Sequence, residues 1–298
     1  QISSTSDNDY YKISTDGAAT ITIDFDAPTN SSGDYFKVAL QNSSGTVLAS
    51  QDTGQDISFD TGVDSAGDYY VVIEDSNLHT THEYSFSTTV SAAAVNNNTA
   101  ETESNNTFST ADTIEMGKAI TGQLSSTSDS DIFKFDTTQA STLNLAFDVP
   151  TNSSGDYFKI SVRDIAGTTL SSHEVGSDLT FSTALNGAGT YYIQVEDDYF
   201  HNGGQYSLTG SITSGTSGIE TEGNNSRSTA DVITSGSSVK GQLWWQTDQD
   251  FYKISTDGAA TITIDFDAPT NSSYNDYFKV TLQNSSGTVL ASQDTGQD

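Results

Sequence analysis

Six oxygen-bearing side chains define the chemistry open to this sequence. Glu101, Glu103, Asn105 and Asn106 fall in one short segment, and Asp129 and Asp131 follow at the head of a later apolar pattern. Carboxylates and amide carbonyls are hard oxygen donors, of which a calcium ion takes about 6–8. Alternate residues of an extended segment share a face, so Glu101, Glu103 and Asn105 can converge. Ser125 or main-chain oxygens can add to the set. It recurs as Glu220, Glu222, Asn224, Asn225, Asp248 and Asp250. Near the start only its second half is present, as Asp7 and Asp9, and a site there is expected to be incomplete unless another chain or segment completes it. The competing reading is a solvated acidic linker beside an Asp-rich turn. A metal clamp would tie linker to module, so the joint would stiffen with calcium and loosen without it.

Other constellations are weaker. His79 and His82 have a zinc-like spacing without a third ligand, and His173 and His201 stand alone. Asp34, Asp156 and Asp276 read as turn caps after Asn-Ser-Ser loops, with a second cation site as the alternative. Trp244-Trp245 replaces Ser125-Ser126 and reads as a packing patch, with a sugar or partner contact as the alternative. There is no nucleophile elbow, no His-Glu-x-x-His and no phosphate loop, so an enzyme is not expected.

The elements that hold these residues repeat. Glu101-Thr-Glu-Ser-Asn-Asn-Thr-Phe-Ser-Thr-Ala-Asp112 returns as Glu220-Thr-Glu-Gly-Asn-Asn-Ser-Arg-Ser-Thr-Ala-Asp231, a shift of 119 residues. Ser3–Asp9 returns at Ser125–Asp131, a shift of 122. Such a period is a whole domain with its own core. Ser14–Asp56 nearly repeats at Ser255–Asp298, with Gly33 replaced by Tyr274-Asn275 and Ala39 by Thr281. The sequence therefore reads as a window of a longer polymeric chain. It divides into a repeat at 1–98 lacking its opening segment, a complete repeat at 99–218, and a repeat at 219–298 lacking its end.

Period-two alternation marks the strands. Ile21, Ile23 and Phe25 share a face, as do Leu143, Leu145 and Phe147, and Ile262, Ile264 and Phe266. A second row is Phe36, Val38, Leu40, matched by Phe158, Ile160, Val162 and by Phe278, Val280, Leu282. With turn signals between the runs, the expected fold is all-β: tandem antiparallel β-sandwich domains.

Composition narrows the partners. A formal net charge of −30 repels nucleic acid and anionic membrane. No apolar run approaches the roughly 18 residues of a membrane span. There is no cysteine, so disulfide and thiol chemistry are absent. Sequons occur at Asn30, Asn42, Asn97, Asn105, Asn152, Asn224, Asn271 and Asn284, and a glycan on Asn105 or Asn224 would compete with a metal.

Taken in order, the Glu-x-Glu-x-Asn-Asn opening, Ser-Thr-Ala-Asp112, Gly122-Gln-Leu124, Asp129-x-Asp131-(Ile)-Phe, Gly189-Thr-Tyr-Tyr-Ile193 and Gln205-Tyr-Ser-Leu208 resemble the bacterial pre-peptidase C-terminal domain. That family includes the collagen-binding domains of clostridial collagenases. The resemblance implies a jelly-roll-like sandwich in a secreted protein, with calcium between the linker and the sandwich. The expectation is an extracellular or cell-surface structural protein, part of an adhesin stalk or filament. It would be stiffened by Ca²⁺ and would self-assemble or continue into neighbouring repeats. The alternative is an accessory module of a secreted hydrolase that binds collagen, peptide or polysaccharide, with a glycan or protein ligand.

Overall fold

The computed structural model describes residues 1–92, 99–269 and 277–296; Asn97, Asn271 and Asp276 lie outside them. Among the described residues every regular element is a strand. The chain divides into two compact units, Gln1–Lys253 and Ile254–Asp298, described in turn.

The first unit opens with β1 (Asn8–Thr15), β2 (Ala19–Asp26), β3 (Phe36–Asn42), β4 (Val47–Thr53), β5 (Ile57–Val63), β6 (Gly67–Asp75) and β7 (Ser85–Ala92). They form two antiparallel sheets, ordered β1-β6-β3-β4 and β5-β2-β7. Alternation explains the layers. Ile21, Ile23 and Phe25 of β2 point inward with Phe36, Val38, Leu40, Val71 and Ile73 of the facing sheet, and all are buried in one core.

The next strands repeat the plan. They are β8 (Asp112–Thr113), β9 (Ala119–Gly122), β10 (Ser130–Thr137), β11 (Ser141–Asp148), β12 (Phe158–Asp164), β13 (Thr169–Val175), β14 (Leu179–Leu185), β15 (Gly189–Asp197) and β16 (Tyr206–Ser214). The sheets run β13-β12-β15-β10-β8 and β14-β11-β16-β9 around a separate core that includes Phe133, Leu143, Phe147, Phe158 and Ile193. The opening segment adds β8, which pairs in parallel with β10, and β9, which pairs antiparallel with β16. The same parallel step recurs in β17 (Asp231–Val232) and β18 (Tyr252–Lys253).

The second unit contains one hairpin, β19 (Phe278–Gln283) and β20 (Val289–Thr295). Its register shift at Leu282/Gln283 copies that at Leu40/Gln41 of β3 and β4. Phe266 and Phe278 sit 5.2 Å apart, as do Phe25 and Phe36. One expectation is corrected here. The row Ile262, Ile264, Phe266 is not a strand, and Ile264 is 46 % exposed. Ala260–Asp267 has the same sequence as β2, so propensity is identical. The difference is partners: β2 pairs with β5 and β7, and among the described residues Ala260–Asp267 pairs with no strand. An unpaired strand leaves its backbone groups to water and has no facing sheet to bury against.

Candidate metal centre at the repeat junction

The opening segment is pinned before it reaches the acids. Thr121 donates from its backbone N–H to Thr99 O at 2.8 Å, and Glu101 N–H donates to Thr121 O at 2.8 Å. Thr102 N–H then donates to Asp112 Oδ2 at 2.7 Å, so the last residue of the Ser-Thr-Ala-Asp motif holds the linker. Thr221 and Asp231 make the same bond at 2.7 Å. The segment thus delivers Glu101, Glu103 and Asn105 to the start of β10, where Asp131 points inward. One ligand-capable oxygen from each of Glu101, Glu103 and Asp131 lies within 4.8 Å of the others.

The cluster is buried and short of donors. Glu101 is 3 % exposed, and Asn105 and Asp131 are fully buried. Glu103 Oε1, Asn105 Oδ1 and Asp131 Oδ1 are shielded from solvent without a hydrogen-bond partner. In the third repeat the orphaned atoms are Glu222 Oε1, Asn224 Oδ1 and Asp250 Oδ1, the same three positions. Orphaned buried acceptors are costly and rare in native proteins. They recur at equivalent places in both repeats. All the donors are hard oxygens, with no imidazole or thiolate, which suits calcium over zinc or copper. Glu101, Glu103, Asn105 and Asp131 are the residues that would hold it, and the ion would supply the missing positive charge.

The remaining residues named from the sequence have other partners. Asp129 caps its own turn: Oδ2 accepts from Ser125 N–H and Oγ at 2.7 Å, and Oδ1 from Ser130 N–H at 3.0 Å. Asp7 caps Ser3, and Asp248 caps Trp244 and Gln249, in the same way. Asn106 and Asn225 are exposed, and the Asn225 amide, turned with its nitrogen inward, donates to Asp248 Oδ1 and Gln249 O. Glu220 is buried, and its Oε1 accepts from Gln242 N–H. In the first repeat Asp9 accepts from Tyr84 OH and lies 3.5 Å from the Gln1 amine. The burial of Asn105 and Asn224 leaves no room for a glycan on either.

Three roles escaped the sequence reading. Tyr206 OH donates to Asp131 Oδ2 at 2.6 Å, as Tyr84 does to Asp9, so a tyrosine from the closing strand orients the second Asp. The matching offset between those Tyr and Asp positions was the available signal. His79 pairs with Asp75 at 2.6 Å and His201 with Asp197 at 2.8 Å, so these histidines are equivalent loop locks. The third role belongs to Gln123. Its Oε1 accepts from Ser50 N–H on β4 at 2.9 Å, and its Nε2 donates to Gly203 O. Gln242 repeats this on β13: Ser172 N–H donates to Oε1 at 3.2 Å, and Nε2 donates to Ser172 O at 2.8 Å. β4 and β13 are both edge strands, so each glutamine occupies a backbone slot that a sheet edge leaves open. Gly62 N–H on β5, another edge, donates to Glu101 O at 2.8 Å.

No protein-family model matches the chain, and no curated protein does. Among solved structures it is similar to the pre-peptidase C-terminal domain of collagenase from Bacillus anthracis. Identity is 18 %, over 34 % of this chain and 93 % of that one, with a TM-score of 0.29. It is also similar to the CUB1-EGF-CUB2 domain of human MASP-1/3, at 11 % identity over 70 % of this chain and 94 % of that one, TM-score 0.23. Among the described residues no helix is long and apolar enough to cross a membrane.

Electrostatics follow from the geometry. Burial, then the neighbouring carboxylates of Asp131 and Glu103, raise Glu101 well above the usual carboxylate range. Burial, followed by Asp129 and Asp131, pushes Glu103 up to about 9. Burial takes Asp131 to about 8. Glu222 and Asp250 are pushed to about 8 by burial first, and by acidic neighbours. The metal-free fold therefore holds protons that the unfolded chain releases near 3.8–4.5. Its stability is greatest below that range and falls as pH rises through about 8–9. A metal must displace the same protons, so calcium affinity should rise across this window, with proton release. Calorimetric titration at about pH 6 and about pH 8.5, in buffers of different ionisation enthalpy, measures both; equal affinity without proton release is the opposing result.

Proposed function

We propose that this chain is a stretch of an extracellular structural protein, a stalk or filament of β-sandwich repeats whose junctions are stiffened by calcium. One observation carries the reading. Glu101 Oε1 accepts from the backbone N–H of Gln123, and the Gln123 side chain grips Ser50 of the preceding repeat. Glu220, Gln242 and Ser172 form the same link one repeat on. A residue that would hold the metal, the junction residue and the previous repeat are joined by one line of bonds, twice. Filling the cavity with a cation then fixes both the linker and the neighbour. Each junction places the head of one repeat on the edge strands of the one before it. Such a contact is heterologous, and where its rotation leaves it open it extends into a stalk within one chain or a filament between chains. The charge of −30 suits a partner-free surface bathed in divalent cations.

A second reading, a binding module of a secreted hydrolase, is favoured by one cluster. Tyr199 and Phe200 are 80 % and 47 % exposed, with rings 4.7 Å apart, and Phe200 lies 5.5 Å from Tyr157. Electron microscopy of the native material with calcium and with chelator separates the two. The stalk reading expects straight particles of regular spacing that become limp in chelator. Compact particles that bind collagen or polysaccharide, unchanged by chelator, contradict it.

A further inference from the structure

The two junctions share a frame and differ in what fills it. At the second, a cleft of about 170 Å³ lies where the Gln242–Trp245 segment meets the outer face of β12 and β13, lined among others by Lys159, Ser161, Arg163, Glu174, Trp244 and Trp245. At the first junction the counterparts of Arg163 and of the two tryptophans are Gln41, Ser125 and Ser126. The strand pairing beneath is the same at both, down to the register shift at Leu40/Gln41 and Val162/Arg163. A cation and an aromatic pair have therefore been placed on a conserved platform.

The fold meets the added guanidinium poorly. Arg163 Nε is shielded from water with no hydrogen-bond partner, and the guanidinium makes one long bond, from Nη1 to Gly167 O at 3.4 Å. Among the described residues neither Arg163 nor Lys159 has a carboxylate at ion-pair distance, in a chain with 40 acids and 10 Lys and Arg. A buried guanidinium donor left unmet is costly, and its natural complement is an oxyanion. Trp244 and Trp245 are 37 % and 59 % exposed, a large aromatic area held at the mouth of the cleft. An aromatic face with a polar rim suits the C–H face of a pyranose ring. The volume is below the roughly 300–1,000 Å³ of enclosed small-molecule pockets, so it fits one unit of a chain lying along the surface.

We propose that this cleft binds an anionic polysaccharide: Trp244 and Trp245 stack on a sugar ring, and Arg163, with Lys159 beside it, takes the ring's carboxylate or sulfate. Glu174 at the rim and the chain's overall charge oppose long-range attraction. Binding should therefore strengthen, or hold, as salt rises from low to moderate levels, unlike binding to a basic groove.

The sequence supplies its own reporter, because Trp244 and Trp245 are its only tryptophans. The full chain is titrated with oligogalacturonate, with a sulfated chondroitin oligosaccharide, and with a neutral malto-oligosaccharide of similar length, following tryptophan emission. The expected result is a saturable change with at least one anionic sugar, and affinity for the neutral one at least about tenfold lower. The two anionic probes separate carboxylate from sulfate as the recognised group. Arg163→Gln should cost at least about tenfold for that sugar. Trp244→Ser with Trp245→Ser should abolish binding when measured by calorimetry. Each variant installs the residue found at the first junction, so unchanged melting temperatures are expected. No response to either anionic sugar, equal affinity for the neutral one, or an Arg163→Gln variant that binds like the parent would overturn the proposal.

Discussion

Replacing Glu103 by Gln together with Asp131 by Asn is expected to reverse the stability order of the protein with and without calcium. Glu103 is half-buried and Asp131 buried beside Glu101, and burial with the repulsion of neighbouring carboxylates raises them to about 9 and about 8. In chelator at about pH 8 the neutral pair removes that repulsion, so the variant should melt at or above the parent. With calcium the parent gains what the variant loses. At free calcium one hundred times the Kd, mass action adds about 2.7 kcal/mol to the parent. For a domain of this size that is a shift of roughly 10 °C. The variant should show almost none of it at this junction, with calcium affinity there reduced on the order of 100-fold. Calorimetric melting of parent and variant, each with calcium and with chelator, reads all four states. A variant less stable than the parent by the same margin in both conditions would assign the carboxylates an ordinary structural role.

A second large effect is expected from Gly62→Val, a residue that touches no candidate metal ligand through its own side chain. A Cβ at Gly62 would overlap the Glu101 carbonyl oxygen, reach Thr102 Oγ1 at 2.8 Å and lie 3.1 Å from Ala100 O. Two of these are backbone atoms of the linker, so the linker must lift. The Gly62–Glu101 hydrogen bond and the bridge to Thr102 go with it. Overpacking of this kind costs about 1–3 kcal/mol. Gly62 lies on an edge strand, so that cost should fall on the junction and leave both cores folded. The counterpart residue is Ala184, and there the next linker is held differently, by Asn186 Nδ2 donating to Glu222 O at 3.1 Å. We expect calcium affinity at the first junction to fall about tenfold, as 1.4 kcal/mol dictates. Small-angle scattering should show a broader spread of particle lengths. An unchanged length distribution would mean that the linker does not set the joint.

The strands were legible because alternation is written residue by residue. Ile21, Ile23 and Phe25 announced an inward face, and so did Leu143, Leu145 and Phe147. The same letters misled at 260–267, because a strand also needs neighbours that a local pattern does not contain. The hairpin β19–β20 formed there regardless, since its partners are adjacent in sequence. At the metal centre, spacing indicated Glu101, Glu103, Asn105 and the second Asp of each Asp-x-Asp. It could not separate that Asp from the first, because Asp7, Asp129 and Asp248 offer the same carboxylate. Only the local turn shows them spent on capping Ser3, Ser125 and Trp244. Gln123 and Gln242 were invisible as junction residues, since their partners Ser50 and Ser172 belong to the preceding repeat. The Tyr206 hydroxyl on Asp131 was hidden for the same reason, since the two residues lie 75 positions apart.

The central claim is that a divalent ion locks one repeat to the next, and a distance across the junction tests it most directly. The chain has no cysteine, so Asp16→Cys and Thr138→Cys, at equivalent exposed turns of the first two repeats, accept spin labels without competition. Pulsed electron–electron resonance then gives the distribution of distances between them. A single narrow distribution in calcium that broadens in chelator is the predicted result, with the narrow form lost even in calcium when Glu103→Gln and Asp131→Asn are added. Distributions of equal width with calcium, with chelator and in the substituted chain would contradict the account.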